Sequence, residues 1–241
     1  MFNPKKKYDF IFGIGEACSC SSSLRNANLQ IQSLPFDWIG GSDFVKRADI
    51  ISNDFHNFLK KENLEYQGNN GIPSHLCDIY KNNENNLIFN HDFLSGKNFD
   101  EECVTVQNKY KRRAERLSNN IKNSKTVLAV WLSTPGAARI DISDDEYIQG
   151  YDILTKKFPE QKIDLLVFNY EKGLSFKNKK YEKISDNIEK YTFDYHKPFH
   201  KGKQLPDYVV DEKLMMKILK NYELKMSLKQ KWNNYLYKKS H

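Results

Sequence analysis

The alternation of strand-like and helix-like segments along this chain predicts an α/β fold built on a largely parallel sheet with helices on both faces. Two observations sharpen that expectation. The runs at 126–132 and 163–169 are almost continuously apolar, as strands buried on both faces are. The composition, 39% hydrophobic and 13% aromatic over 241 residues, suits one sizeable core, so a single domain over 1–241 is expected.

The elements follow in order. Residues 10–14 form a strand that breaks at Gly13 and Gly15, and 18–28 a short helix. Residues 42–61 predict a second helix capped by Ser42, with Phe44, Val45, Ala48, Ile51, Phe55 and Leu59 along one face. A polar, Asn- and Gly-rich excursion occupies about 65–86, with a short ordered piece near 75–80. Residues 87–90 make a short strand that ends at His91 and Asp92. Asp100 can cap a long helix to Lys122 whose inward face includes Val104, Tyr110, Ala114, Leu117 and Ile121. Buried strands at 126–132 and 163–169 flank a helix at 143–158; 190–195 adds an edge strand, and a basic helix at about 211–237 ends the sequence. In such a fold chemistry gathers at the carboxyl ends of strands.

No apolar run is long enough to cross a bilayer and the first residues lack a signal-peptide core, so a cytoplasmic protein without a transmembrane segment is expected. Cysteines 18, 20, 77 and 103 show no framework spacing and are read as free thiols. The net charge of +7 suggests an anionic partner without identifying it.

The segment 8–38 is the most informative. Its glycine-broken strand delivers Cys18 to the first turn of a helix, where unpaired N–H groups and the helix dipole favour a thiolate. Gly15, Glu16 and Ala17 form the turn that would supply oxyanion donors. His91, at a strand end, can supply the imidazole that such a nucleophile needs, with Asp37 or Asp92 as orienting carboxylate. The simpler reading of each residue stands beside this one. Cysteines are often small buried hydrophobes, and Cys20 would point away from Cys18 into packing. His91 could be a hydrogen-bonded structural histidine, with His196 and His200 as rival bases. Asp37, in the PFDW turn at 35–38, could simply pin its loop. Arg113 and Arg116 are three apart on a helix and could jointly grip a phosphate or carboxylate, or form a solvated face with Glu115. A dinucleotide fingerprint lacks its third glycine and its acidic residue, and the Cys18–Cys20 spacing is wrong for zinc; no metal is expected.

The elements GIGEAC, PFDW, FNHDF and KYKRRAERL occur in an order that resembles a bacterial family of papain-like cysteine peptidases. That family is itself similar to coenzyme A-binding acetyltransferases of capsule biosynthesis. The resemblance covers roughly the first half of the chain and implies a papain-like variant with its cysteine at a helix N-terminus. It implies Cys18 as nucleophile and His91 as base, and places Asp37, Asp92, Arg112, Arg113 and Arg116 in shared motifs. It favours a cysteine-dependent O-acyltransferase acting in surface polysaccharide synthesis. Its co-substrate would be coenzyme A or acetyl coenzyme A, with no tightly bound cofactor, and its acceptor a glycan. The alternative is a peptidase or hydrolase acting on peptides. A third reading is a non-enzymatic module that binds anions or nucleic acid through the lysine-rich terminal helix, although nucleic acid is not the expected partner.

Overall fold

The computed structural model describes residues 4–134, 142–228, 230–232 and 234. Strands β1 (Lys6–Tyr8) and β2 (Phe10–Gly13) lead into helix α1 (Ala17–Asn26), and β3 (Ile39–Gly41) precedes α2 (Phe44–Ser52). Strands β4 (Leu64–Asn69), β5 (Cys77–Asn82) and β6 (Leu87–Leu94) come before the long helix α3 (Phe99–Lys122). Then follow β7 (Thr126–Leu132), α4 (Asp144–Lys157), β8 (Lys162–Tyr170), β9 (Lys180–Ser185) and β10 (Ile188–Phe193). A small hairpin of β11 (Phe199–His200) and β12 (Lys203–Gln204), helix α5 (Glu212–Leu219) and β13 (Tyr222–Leu224) come next.

The central sheet has the order β2-β7-β8-β10-β9, its first four strands parallel and β9 antiparallel at the edge. Because successive strand side chains point to opposite faces, β7 divides its apolar run between two layers. Val127, Ala129 and Trp131 pack with Phe44 and Ala48 of α2, Leu117 of α3 and Leu154 of α4. Leu128, Val130 and Leu132 pack with Leu24 of α1 and Ile218 of α5 on the other face. Helices thus cover both faces. β1 pairs in parallel with β13 beside this core.

Several boundaries differ from expectation, each for a local reason. Ser42 has φ +62°, so the cap of α2 passes to Asp43, whose carboxylate accepts the Lys46 N–H at 2.8 Å. That helix ends at Ser52, because Asp54 and Phe55 turn left-handed, and Phe55 reaches the core from a loop. Asn98, not Asp100, caps α3, and its inward stripe runs through Cys103 and Val106 while Val104 is exposed. β10 lies inside the sheet, and the more polar β9 forms the edge. The expected 211–237 helix is interrupted: Glu212–Leu219 is helical, Tyr222 and Leu224 bury alternate side chains as a strand, and residues 228, 230–232 and 234 are helical again. The end of that expected helix lies partly outside the described residues.

The largest correction concerns 65–86. It is a hairpin of β4 and β5 within a second, antiparallel sheet of order β3-β6-β5-β4. Both strands are largely polar, so their pairing left little periodic signal; Tyr66 opposite Tyr80, rings 5.7 Å apart, is its apolar contact. β6 also runs beyond Asn90 to Leu94, so His91 and Asp92 lie within a strand of this second sheet rather than after one.

Candidate active site

One wall of the site is the turn from β2 into α1. Beyond the end of β2, the Ile14 and Glu16 N–H groups still donate to the Val130 and Leu132 carbonyls of β7. A Cβ on Gly15 would stand 2.4 Å from the Leu132 nitrogen, so only glycine allows this approach. Ala17 then takes φ +55°, a conformation non-glycine residues seldom adopt, and the chain enters α1 with Cys18 as its second residue. No side chain caps α1, which leaves first-turn N–H groups available to an oxyanion.

Arg47 holds this turn from beneath, and nothing in the motif reading singled it out. Fully buried on α2, it donates to the Ile14 and Gly15 carbonyls at 3.2 and 2.6 Å and to the Ile39 and Gly41 carbonyls at 3.0 and 2.6 Å. Its guanidinium also lies over the Phe36 and Trp131 rings. A sequence signal existed: a charged residue within the apolar stripe Phe44, Ala48, Ile51. Glu16 turns its carboxyl inward toward Arg47, accepts the Thr134 N–H at 3.4 Å, and is pushed up to about 7 by burial, which outweighs Arg47.

The opposite wall is a β-bulge. On β5, Ile79 alone separates Asp78 from Tyr80, whereas on β6 Asn90, His91 and Asp92 separate their partners Phe93 and Phe89. The two extra residues break the alternation of side chains. Asn90 and His91 therefore both face a cleft of about 300 Å3 that Ala17, Cys18, Trp38 and Tyr208 also line. The Trp38 and His91 rings meet edge to face, centroids 6.4 Å apart. Ser19 on α1 donates its hydroxyl to the Tyr208 carbonyl, fastening that loop over the start of the helix. Cys18 and His91 thus share one cleft, although among the described residues no hydrogen bond joins them.

The protonation expected of this pair is corrected. Burial pushes the Cys18 thiol up, and its own backbone N–H and the Ser19 hydroxyl offset that only in part. Burial lowers His91, with Asp92 raising it and His75 lowering it further. Both shifts favour the neutral thiol and the neutral imidazole over a thiolate–imidazolium pair.

The remaining candidates separate clearly. Asp37 is buried away from His91: its carboxylate accepts from Gln30 at 2.8 and 2.9 Å, Arg25 at 2.7 Å and the Leu34 N–H at 2.9 Å, and so pins the PFDW turn to α1. Asp92 points to α3, where Lys109 and the Tyr110 hydroxyl hold it, so neither carboxylate orients the imidazole by a hydrogen bond. Arg116 donates to the Ser33 carbonyl at 2.6 Å, whereas Arg113 lines a recess beside His91; the two do not form one grip. Arg112 is exposed. His196 lies 4.0 Å from Asp207 and His200 is exposed on β11; neither lines the cleft. Cys20 packs against β7, its thiol directed to the Val130 carbonyl and raised to about 12 by burial. All four cysteines are free, and Cys20, Cys77 and Cys103 are buried while Cys18 is half-buried. Among the described residues no group of three His, Cys, Asp or Glu could hold a metal ion, and no helix is long and apolar enough to cross a membrane.

Comparison with known proteins adds to this geometry. A family described as "Putative papain-like cysteine peptidase" matches residues 9–137, which include both walls of the cleft. An uncharacterized protein of Acanthamoeba polyphaga mimivirus is 25% identical over 170 residues, 64% of this chain and 68% of that one. No solved structure matches. The family match spans more than half of the sequence, and the chain belongs to this family of thiol-dependent enzymes.

Proposed function

We propose that this member of the papain-like cysteine peptidase family hydrolyses peptide bonds, with Cys18 as nucleophile and His91 as general base and acid. The observation that carries the reading is the shared cleft, in which a cysteine at an uncapped helix start faces a histidine on a bulged strand. Its lining of Trp38, Ile72, Ile79, Asn70 and Asn90 is apolar and amide-rich, suited to peptide side chains and backbone. A phosphorylated acyl donor would call for a ring of lysine and arginine, and among the described residues this cleft has none. The acyltransferase expectation keeps the same cysteine and histidine, but the peptidase accounts better for the lining.

The chemistry follows from neutral partners. Substrate excludes water and brings thiol and imidazole together; the proton passes from Sγ to His91 as the Sγ–C bond forms. First-turn N–H groups of α1 hold the oxyanion. Collapse breaks the C–N bond, and the imidazolium gives its proton to the leaving amine. Water, deprotonated by His91, then opens the thioester and restores the thiol.

A library of fluorogenic peptides tests this. Cys18→Ala, His91→Ala and the double variant should fall to one common floor, because the two residues act as a unit. Limiting iodoacetamide should modify Cys18 ahead of the three buried cysteines. Turnover that survives Cys18→Ala, or a Cys18 that resists a peptidyl vinyl sulfone while the protein still cleaves peptides, overturns the assignment.

A further inference from the structure

We propose that Arg113 forms a subsite that binds a carboxylate of the substrate next to the bond being cut; this rests on the peptidase reading of the cleft. Beside the cleft lies a recess of about 310 Å3, lined by Trp38, His75, His91, Asp92, Lys109 and Arg113. Trp38 and His91 line both spaces, so a chain whose carbonyl sits between Cys18 and His91 can place its neighbouring group in the recess.

Charge identifies that group. Lys109 is paired with Asp92, whose second oxygen accepts the Tyr110 hydroxyl at 2.9 Å. Asp92 is therefore fully engaged, and its charge is matched by Lys109. Arg113 remains as the surplus cation. Its guanidinium lies over the Tyr110 ring at 5.4 Å, and its Nη1 is buried with no hydrogen-bond partner among the described residues. An arginine does not lose its proton in a protein, and a buried donor left unpaired is unfavourable. A carboxylate would complete it, accepting from the planar guanidinium in the geometry that group favours. One surplus positive charge matches a monoanion, not the multiply charged phosphates of a nucleotide. The carboxylate can come from a Glu or Asp side chain or from the peptide's own C-terminus.

Matched fluorogenic peptides separate these sources: one pair differs only as Glu or Gln beside the scissile bond, and another only as a free or amidated C-terminus. The expected result is a preference of about 10- to 100-fold in kcat/KM for the carboxylate in one pair, carried mainly by KM, from one charge-assisted contact. Arg113→Gln should bring the ratio to about one, Arg113→Glu should invert it toward a Lys peptide, and Arg112→Gln, at an exposed neighbour, should keep the wild-type ratio. The same peptides binding to Cys18→Ala protein, followed by fluorescence anisotropy, report on the subsite without turnover. If neither pair is discriminated in binding, or if Arg113→Gln weakens all four peptides equally, the subsite is wrong. If the discrimination appears in binding while no peptide is cut and Cys18 is inert to vinyl sulfone, the subsite stands and the peptidase reading falls.

Discussion

The two walls of the cleft are held in different ways. The Cys18 wall is fixed from below by buried groups: Arg47 ties four carbonyls of two segments together, Gly15 lies against Leu132, and Ile14 and Glu16 extend the ladder to β7. The His91 wall is a bulge in a strand of a second sheet, supported from behind by Asp92 with Lys109 and Tyr110. A nucleophile needs a fixed approach and oxyanion donors in place, whereas a base must close on a thiol it does not touch at rest. In the proposed mechanism the wall held by buried groups carries the first and the bulged wall the second.

If that contrast is real, Arg47→Ala should have the largest effect on stability. It strands four carbonyls, three of them fully buried, and leaves Glu16 without its counter-charge, at a cost of about 3–5 kcal/mol in urea unfolding. A loss below about 1 kcal/mol would mean that the turn is held by β7 alone.

Glu16 gives the next effect, and its sign is fixed. The folded carboxyl titrates at about 7, above the ordinary 4.5, so at intermediate pH the native state holds a proton that the unfolded chain has released. Stability should fall as pH rises from about 4.5 to about 7, by on the order of 3 kcal/mol. Glu16→Gln should flatten the profile across that window. An unchanged slope would show that other groups produce it.

On the other wall, Tyr110→Phe removes one of two partners of a nearly buried carboxylate that keeps Lys109. About 1 kcal/mol should be lost, together with a shift in the pH dependence of turnover, because Asp92 acts on His91 through its charge. A stability loss without a change in the pH profile would separate Asp92 from the base. The smallest change is expected from Arg116→Ala, whose exposed contact with the Ser33 carbonyl should contribute no more than about 0.5 kcal/mol and leave peptide selectivity intact.

Much of the first wall was legible along the chain because it is local. Glycine at 13 and 15, a strand before them and a helix after them bring Cys18 to a helix start within a few residues. Asp37 also had a local reading, as a pin for its turn, and its partners Gln30, Arg25 and Leu34 lie close in sequence. The second wall was not legible. A bulge exists only relative to the partner strand, and β5 had been hidden in a polar excursion. Asp92 was a plausible orienting group by adjacency to His91, until the strand sent it to α3.

By itself the sequence determined the parallel core and the glycine turn that leads to Cys18. Continuous apolar strands, helical stripes and glycine-dependent backbone are set by steric and hydrophobic preferences that act over a few residues. Tertiary structure alone decided that Arg47 would be the buried clamp, that Arg113 and Arg116 would part company, and that His91 would share a cleft with Cys18. Those outcomes depend on pairings across many residues, in which register, burial and the competition for a limited number of polar partners choose one arrangement from several that the local sequence allows.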